Sequence, residues 1–105
     1  VVSTIVAFDL EFIVGTTSSP QVVNGVNVTL PTDGTNQIIL PLESVLNQSV
    51  TVEKDSVPLP IGLIDRVSYT PIYTNTSVTI TLGPSGVNFQ NGDLFVIRGL
   101  QYVSA

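Results

Sequence analysis

The chain contains no His, Cys, Met or Trp, and of its 105 residues only 8 are acidic and 3 basic. Soluble catalysis leans on His, Cys, Lys and closely paired carboxylates, whose pKa values can be tuned toward neutrality. Ser and Thr are plentiful, but a hydroxyl nucleophile needs an activating base. With no His, a Ser–His–Asp triad is excluded, and the single lysine, Lys54, falls in a predicted turn. The composition therefore points away from an enzyme, and no cofactor or metal is expected. The missing cysteines leave the compartment open, because a domain of this length needs no disulfide to hold its core.

Basic charge is equally scarce. Net charge is −5, and Lys54, Arg66 and Arg98 are far apart in sequence, so no basic stripe exists to track a phosphate backbone. Nucleic acid and anionic membrane surfaces are both disfavoured as partners. Long apolar runs are absent too. Runs such as Ile5 to Phe8 and Phe12 to Val14 are three or four residues long, interrupted by Asp9 and Glu11, whereas a bilayer span needs about 20 residues. No membrane insertion is expected. The N-terminus shows neither a basic region nor an A-x-A-like site, so no signal peptide is visible in it, and the start at Val in place of Met leaves a lost leader or upstream domain open.

What the chain does have is β-branched residues. Val, Ile and Thr supply 38 positions against two for Ala, a bias that suits a pleated surface and penalises helix. Seven Pro and eight Gly cut the chain into strand-length pieces. The expectation is one all-β domain over residues 1–105, an antiparallel β-sandwich of seven to eight strands with at most one short helical turn.

The first piece, Thr4 to Val14, alternates for eleven residues, with Val6, Phe8, Leu10, Phe12 and Val14 on one face and Asp9 and Glu11 on the other. Val23-Asn24-Gly25-Val26 is a two-residue hairpin signal, since Asn-Gly tolerates two positive φ angles. Gln37 to Leu40 and Asp65 to Thr70 (broken by Pro71) read as further strands, as do Ser49 to Glu53 with Val50 and Val52 inward, Thr76 to Leu82 with Val78, Ile80 and Leu82 on one face, and Leu94 to Arg98, apolar on both faces as a central strand is. Val57 to Pro60 reads as an edge strand or extended crossover. Leu42, Val45 and Leu46 stand at helical spacing and mark the one expected helical turn.

From Ser49 to Val103 the order of elements resembles small β-sandwich modules of bacteriophage tail fibres and related virion proteins. The stretches that carry it are Val50-Thr51-Val52 with Val57-Pro58-Leu59, Val67-Ser68-Tyr69-Thr70, Ser77 to Leu82, and Asn91-Gly92-Asp93 with Leu94 to Ile97. Asp55-Ser56 stands where that pattern has Asn-Gly or Asp-Gly. The resemblance implies a structural role on a phage particle.

Several residue groups invite a sharper reading. Asp9 and Glu11 share a strand face, as a cation site needs, but no third ligand lies near them in sequence, and a solvated face that discourages edge aggregation accounts for them. Asp33-Gly34-Thr35-Asn36 lacks the further acids of a calcium loop and reads as a turn. Gly83-Pro84-Ser85-Gly86 has no Lys or helix after it and fails as a phosphate cradle. Tyr69, Tyr73 and Tyr102 either cap the sandwich ends or offer stacking faces to a sugar. Arg66 and Arg98 interrupt apolar strands, either as anchors to a neighbouring subunit or in pairs within the domain, such as Arg66 with Asp65 or Asp93.

High hydropathy with few charges implies that much of the surface meets another chain. The preferred reading is a non-enzymatic virion component, a capsid-decoration or fibre module acting as a trimer or hexamer with other virion proteins. Val6, Phe8, Leu10, Phe12, Arg66 and Arg98 are its candidate interface, unless the apolar stripe lies in the domain's own core. The alternative is an extracellular or cell-surface adhesin that binds a host glycan through a tyrosine.

Overall fold

The computed structural model describes residues 3–104, and in it the chain is all-β and sandwich-like. Nine strands form in the order β1 (Ser3–Ile13), β2 (Gln21–Val23), β3 (Val26–Val28), β4 (Gln37–Leu40), β5 (Thr51–Lys54), β6 (Val57–Pro58), β7 (Tyr69–Tyr73), β8 (Val78–Leu82) and β9 (Leu94–Ser104). They make a four-stranded sheet, β1-β9-β5-β6, a three-stranded sheet, β4-β8-β7, and the β2-β3 hairpin, and every ladder is antiparallel. The count is nine because Val57–Pro58 does pair, with Glu53 and Lys54 of β5.

Period-2 alternation decides which side chains enter the core. Phe8, Leu10, Phe12 and Val14 of the first segment are buried, as are Val50 and Val52, Val78, Ile80 and Leu82, and Phe95 and Ile97. All belong to one continuous apolar cluster. Phe12 stacks on Phe95 at 5.7 Å between ring centres, and Phe89 meets Phe95 edge-on at 5.1 Å. In the hairpin Asn24 and Gly25 both take positive φ, 47° and 81°, and Val23 pairs with Val26 as the Asn-Gly signal requires. The turn at Asp55-Ser56 is of the same kind, with φ of 51° and 69° and no glycine.

Three expectations are corrected. The Leu42–Leu46 stretch does not turn into a helix: Ser44 adopts a left-handed φ of 58°, Val45 bridges Gln101, and the Leu46 N–H donates to the Leu100 carbonyl at 2.9 Å. Leu42 and Val45 are buried by laying this strap along β9, not by coiling. The one helical turn is a 3-10 turn at Asp65–Val67, where a strand was expected. The strand after it, β7, runs through Pro71 instead of stopping there. Ser68 accepts from the Gly83 N–H and Thr74 donates to Ser77, so even-numbered residues of β7 face β8. The nitrogen of Pro71 points away from that ladder, on an edge strand, where its missing donor breaks nothing.

β9 extends six residues past Arg98 and pairs with β1 along its whole length, from Leu94 opposite Ile13 to Ser104 opposite Ser3. It is a central strand, with β1 on one side and β5 on the other.

Candidate functional site

The stripe proposed as an interface lies mostly inside the molecule. Phe8, Leu10 and Phe12 are buried in the molecule's own apolar core, so no neighbour reaches them while the fold is intact. Val6 alone of the four is half-buried, near the end of β1. Phe8 is held by a close fit: it stands opposite Gly99 in the β1–β9 ladder, and a Cβ on Gly99 would lie 2.5 Å from its ring.

The two arginines are paired within the molecule. Arg66, on the 3-10 turn, bonds the Asp93 carboxylate just before β9, and Arg98 bonds Glu53 across the β5–β9 ladder. Of the two partners considered for Arg66, Asp93 is the one it takes. Lys54 reaches Asp55 at 3.2 Å and Asp93 at 4.0 Å. All three cations are thus engaged by carboxylates of the same chain, which leaves Asp9, Glu11, Asp33, Glu43 and Asp65 outside any ion pair among the described residues.

The turn that carries Lys54 is tied to β9 twice over. The Asp55 N–H donates to the Leu94 carbonyl at 2.7 Å, and the Leu94 N–H donates back to the Asp55 carboxylate at 3.1 Å. That backbone bond, and next the Lys54 ammonium, hold the Asp55 carboxyl below its ordinary pKa of 3.8. A depressed folded-state pKa stabilises the fold above the unfolded value and loses that contribution as pH falls through the folded one. Asp55→Asn is therefore expected to flatten the acid limb of the stability curve below about pH 4, because the neutral amide keeps an acceptor for Leu94 without titrating. Urea midpoints measured from roughly pH 2 to pH 6 check this, and parallel curves for the two proteins would contradict it.

The other groups take the plainer of their two readings. Asp9 and Glu11 project from the exposed face of β1, and Asp33 sits in an exposed turn. No group of three or more potential metal-ligating side chains occurs among the described residues. The Tyr69 hydroxyl is buried and donates to the Val50 carbonyl at 3.0 Å, while the Tyr73 hydroxyl accepts from the Val50 N–H at 3.3 Å. Burial raises the pKa of Tyr69. Both rings therefore clamp the start of β5 to the facing sheet, and only Tyr102 is well exposed. No helix among the described residues is long and apolar enough to cross a membrane.

Sequence reasoning missed the most prominent surface. Val57, Ile61, Leu63, Ile64 and Val67, from β6 through the 3-10 turn, are all more than half exposed, between 54 and 68 %. The segment hugs the free edge of β7, where the Tyr69 N–H donates to the Pro60 carbonyl at 3.1 Å and the Gly62 N–H to the Tyr69 carbonyl at 2.9 Å. Ser68 closes the turn by donating to the Ile64 carbonyl at 2.8 Å. The same loop carries Arg66, so the Arg66–Asp93 pair fixes its base while its branched side chains face out. A cleft of about 430 Å³ opens beside it, lined by Val57, Pro58, Leu59, Pro60 and Val67 together with the charged Lys54 and Asp55. The available signal was the density of Ile, Leu and Val across Val57–Val67 with no period-2 alternation to bury them.

Protein-family models, curated proteins and solved structures give no match to this chain.

Proposed function

We propose that this chain is a non-enzymatic structural module that works by assembling with copies of itself and with other proteins of a bacteriophage particle, as a capsid-decoration or fibre component. The observation that carries the assembly reading is the apolar segment Val57–Val67, held out in a fixed shape by hydrogen bonds at its base and by the Arg66–Asp93 pair. Exposed apolar clusters rimmed by charge are the mark of surfaces that meet another protein. The place on a phage particle is supported by the resemblance of residues 49–103 to virion β-sandwich modules. A glycan-binding role is less well supported, because two of the three tyrosines spend their hydroxyls on Val50 and only Tyr102 is well exposed.

Magnitudes set what the segment does alone. Full burial of one large aliphatic side chain contributes about 1.5–3 kcal/mol, so five that are already partly covered supply roughly 5–9 kcal/mol gross. Association costs about 4–15 kcal/mol in lost freedom. The two ranges overlap, so a stable assembly draws on a second contact elsewhere on the molecule.

Sedimentation velocity over a range of concentrations tests the reading. The wild-type chain is expected to form a closed oligomer, a trimer or a hexamer, and the double variant Leu63→Asp/Ile64→Asp is expected to lose mass while keeping its β circular-dichroism spectrum. A wild-type monomer at every concentration rejects the proposal.

A further inference from the structure

We infer that β1 is the second contact: its free edge pairs antiparallel with β1 of another copy about a two-fold axis through Ala7, joining two four-stranded sheets into one of eight strands. The inference rests on the self-assembly reading above and names the surface that copies share.

The hydrogen-bond parity of β1 supplies the donors and acceptors. The Val14 N–H bonds the Asp93 carbonyl across the ladder at 3.0 Å, which places even-numbered residues of β1 in the hydrogen-bonded pairs with β9. Odd-numbered residues turn their N–H and C=O groups to the opposite side. Ile13 demonstrates this, since its carbonyl accepts from Thr16 and Thr17 and its N–H donates to the Thr17 hydroxyl at 2.8 Å. For Ser3, Ile5, Ala7, Asp9 and Glu11 no backbone partner on that side exists among the described residues. A row of unpaired backbone groups along an 11-residue strand is a template for another strand.

Every other edge is blunted. β6 is two residues long and carries Pro58, with Pro60 just beyond it. The edge of β7 holds Pro71 and is covered by the Pro60–Gly62 segment. β4 is four residues long and runs into Pro41, and β2 and β3 have three residues each. β1 alone is long and free of proline.

The occupant follows from register and charge. With Ala7 opposite the partner's Ala7, Ile5 faces the partner's Asp9 and Ser3 faces the partner's Glu11. This register matches all five free residues to free residues and excludes Ile13, whose groups the Thr16–Thr17 turn already uses. Shifting the axis to Phe8 forces Ser3 onto that occupied Ile13. Shifting it to Asp9 sets Asp9 against the partner's Asp9, and shifting it one further sets Asp9 against the partner's Glu11, so like charges oppose each other. In the Ala7 register each Asp9 instead keeps Arg98 as its neighbour on the other side, within its own sheet. The charges of Asp9 and Glu11, which discourage edge pairing in general, thus exclude the axes beyond Phe8, the occupied Ile13 excludes Phe8 itself, and Ala7 is the axis that pairs all five free residues. β1 and β6 are opposite edges of the same sheet, so the pairing leaves the Val57–Val67 surface free for a further contact.

The absence of cysteine makes a direct test available. Directly opposed residues of a hydrogen-bonded antiparallel pair lie about 5.5 Å apart at Cα, within disulfide range, whereas Asp9 and the partner's Asp9 would be separated by about four residues of strand. Air oxidation of Ala7→Cys is expected to give a covalent dimer on a non-reducing gel, and Asp9→Cys, treated identically, is expected to stay monomeric. Both side chains face solvent, so neither variant disturbs the core. A two-fold contact admits the hexamer and not the trimer, so in solution Ala7→Pro, which removes one outward N–H without touching the β9 ladder, is expected to halve the mass of a wild-type hexamer. Equal cross-linking of the two cysteine variants, or none, overturns the inference, as does an Ala7→Pro variant of unchanged mass. If the wild type remains oligomeric through such a result, the self-assembly reading stands without β1. If the wild type is monomeric throughout, both fall together.

Discussion

Phe8→Asp is expected to leave no folded protein. Phe8 is buried at the centre of the β1–β9 ladder, and truncating a buried Phe costs about 3–5 kcal/mol by itself. A carboxylate in that position adds a desolvation penalty of several kcal/mol with no cation to meet it, because the three basic side chains are already engaged. Set against a total stability of about 5–15 kcal/mol for a small domain, the sum removes the native state. Far-ultraviolet circular dichroism and light scattering should report an unfolded or aggregated chain. A folded monomer would instead place the Phe8 stripe on an interface between copies and contradict the core described above.

Gly99→Val is expected to destabilise the fold where ordinary strand chemistry says the reverse. A glycine inside a strand packs nothing and loses more freedom on folding than other residues, so valine is normally the better residue there. Here the Phe8 ring occupies the space a side chain would take, 2.5 Å from the position of a Cβ. Overpacking of this kind typically costs about 1–3 kcal/mol. Phe8→Ala is the matched partner: it empties the same space, so the double variant Phe8→Ala/Gly99→Val should be more stable than the two single losses added together. Urea midpoints for the four proteins measure that coupling. Additive losses would mean that the ring and the glycine do not share a site.

The Phe8–Gly99 pair also shows where sequence reasoning stops. Reading Phe8 as one of an inward-facing set needs only the alternation of its neighbours, and the set was legible from Val6 to Val14. Whether that set met its own second sheet or another subunit was not, because alternation says which residues share a face and nothing about what covers it. That Gly99 is the residue beneath the ring depends on pairing positions 91 apart in sequence. The same distinction separates the arginines: that Arg66 and Arg98 need carboxylates follows from their charge, while the choice of Asp93 and Glu53 is made by strands that meet only in the fold.

Local chemistry therefore determined the all-β class, the Asn24-Gly25 hairpin, the inward faces of β1, β5 and β8 and the central position of β9. Each follows from side-chain period, turn residues or the apolar content of one short segment. Tertiary structure alone decided that Pro71 lies within β7, that the Leu42–Leu46 strap lies along β9 instead of coiling, and that Val57–Val67 keeps its aliphatic side chains in the open. Those outcomes depend on which backbone groups and apolar faces are already taken by distant partners. A proline is harmless only on an edge with no ladder to break, and a branched aliphatic is buried only if some other sheet has room above it.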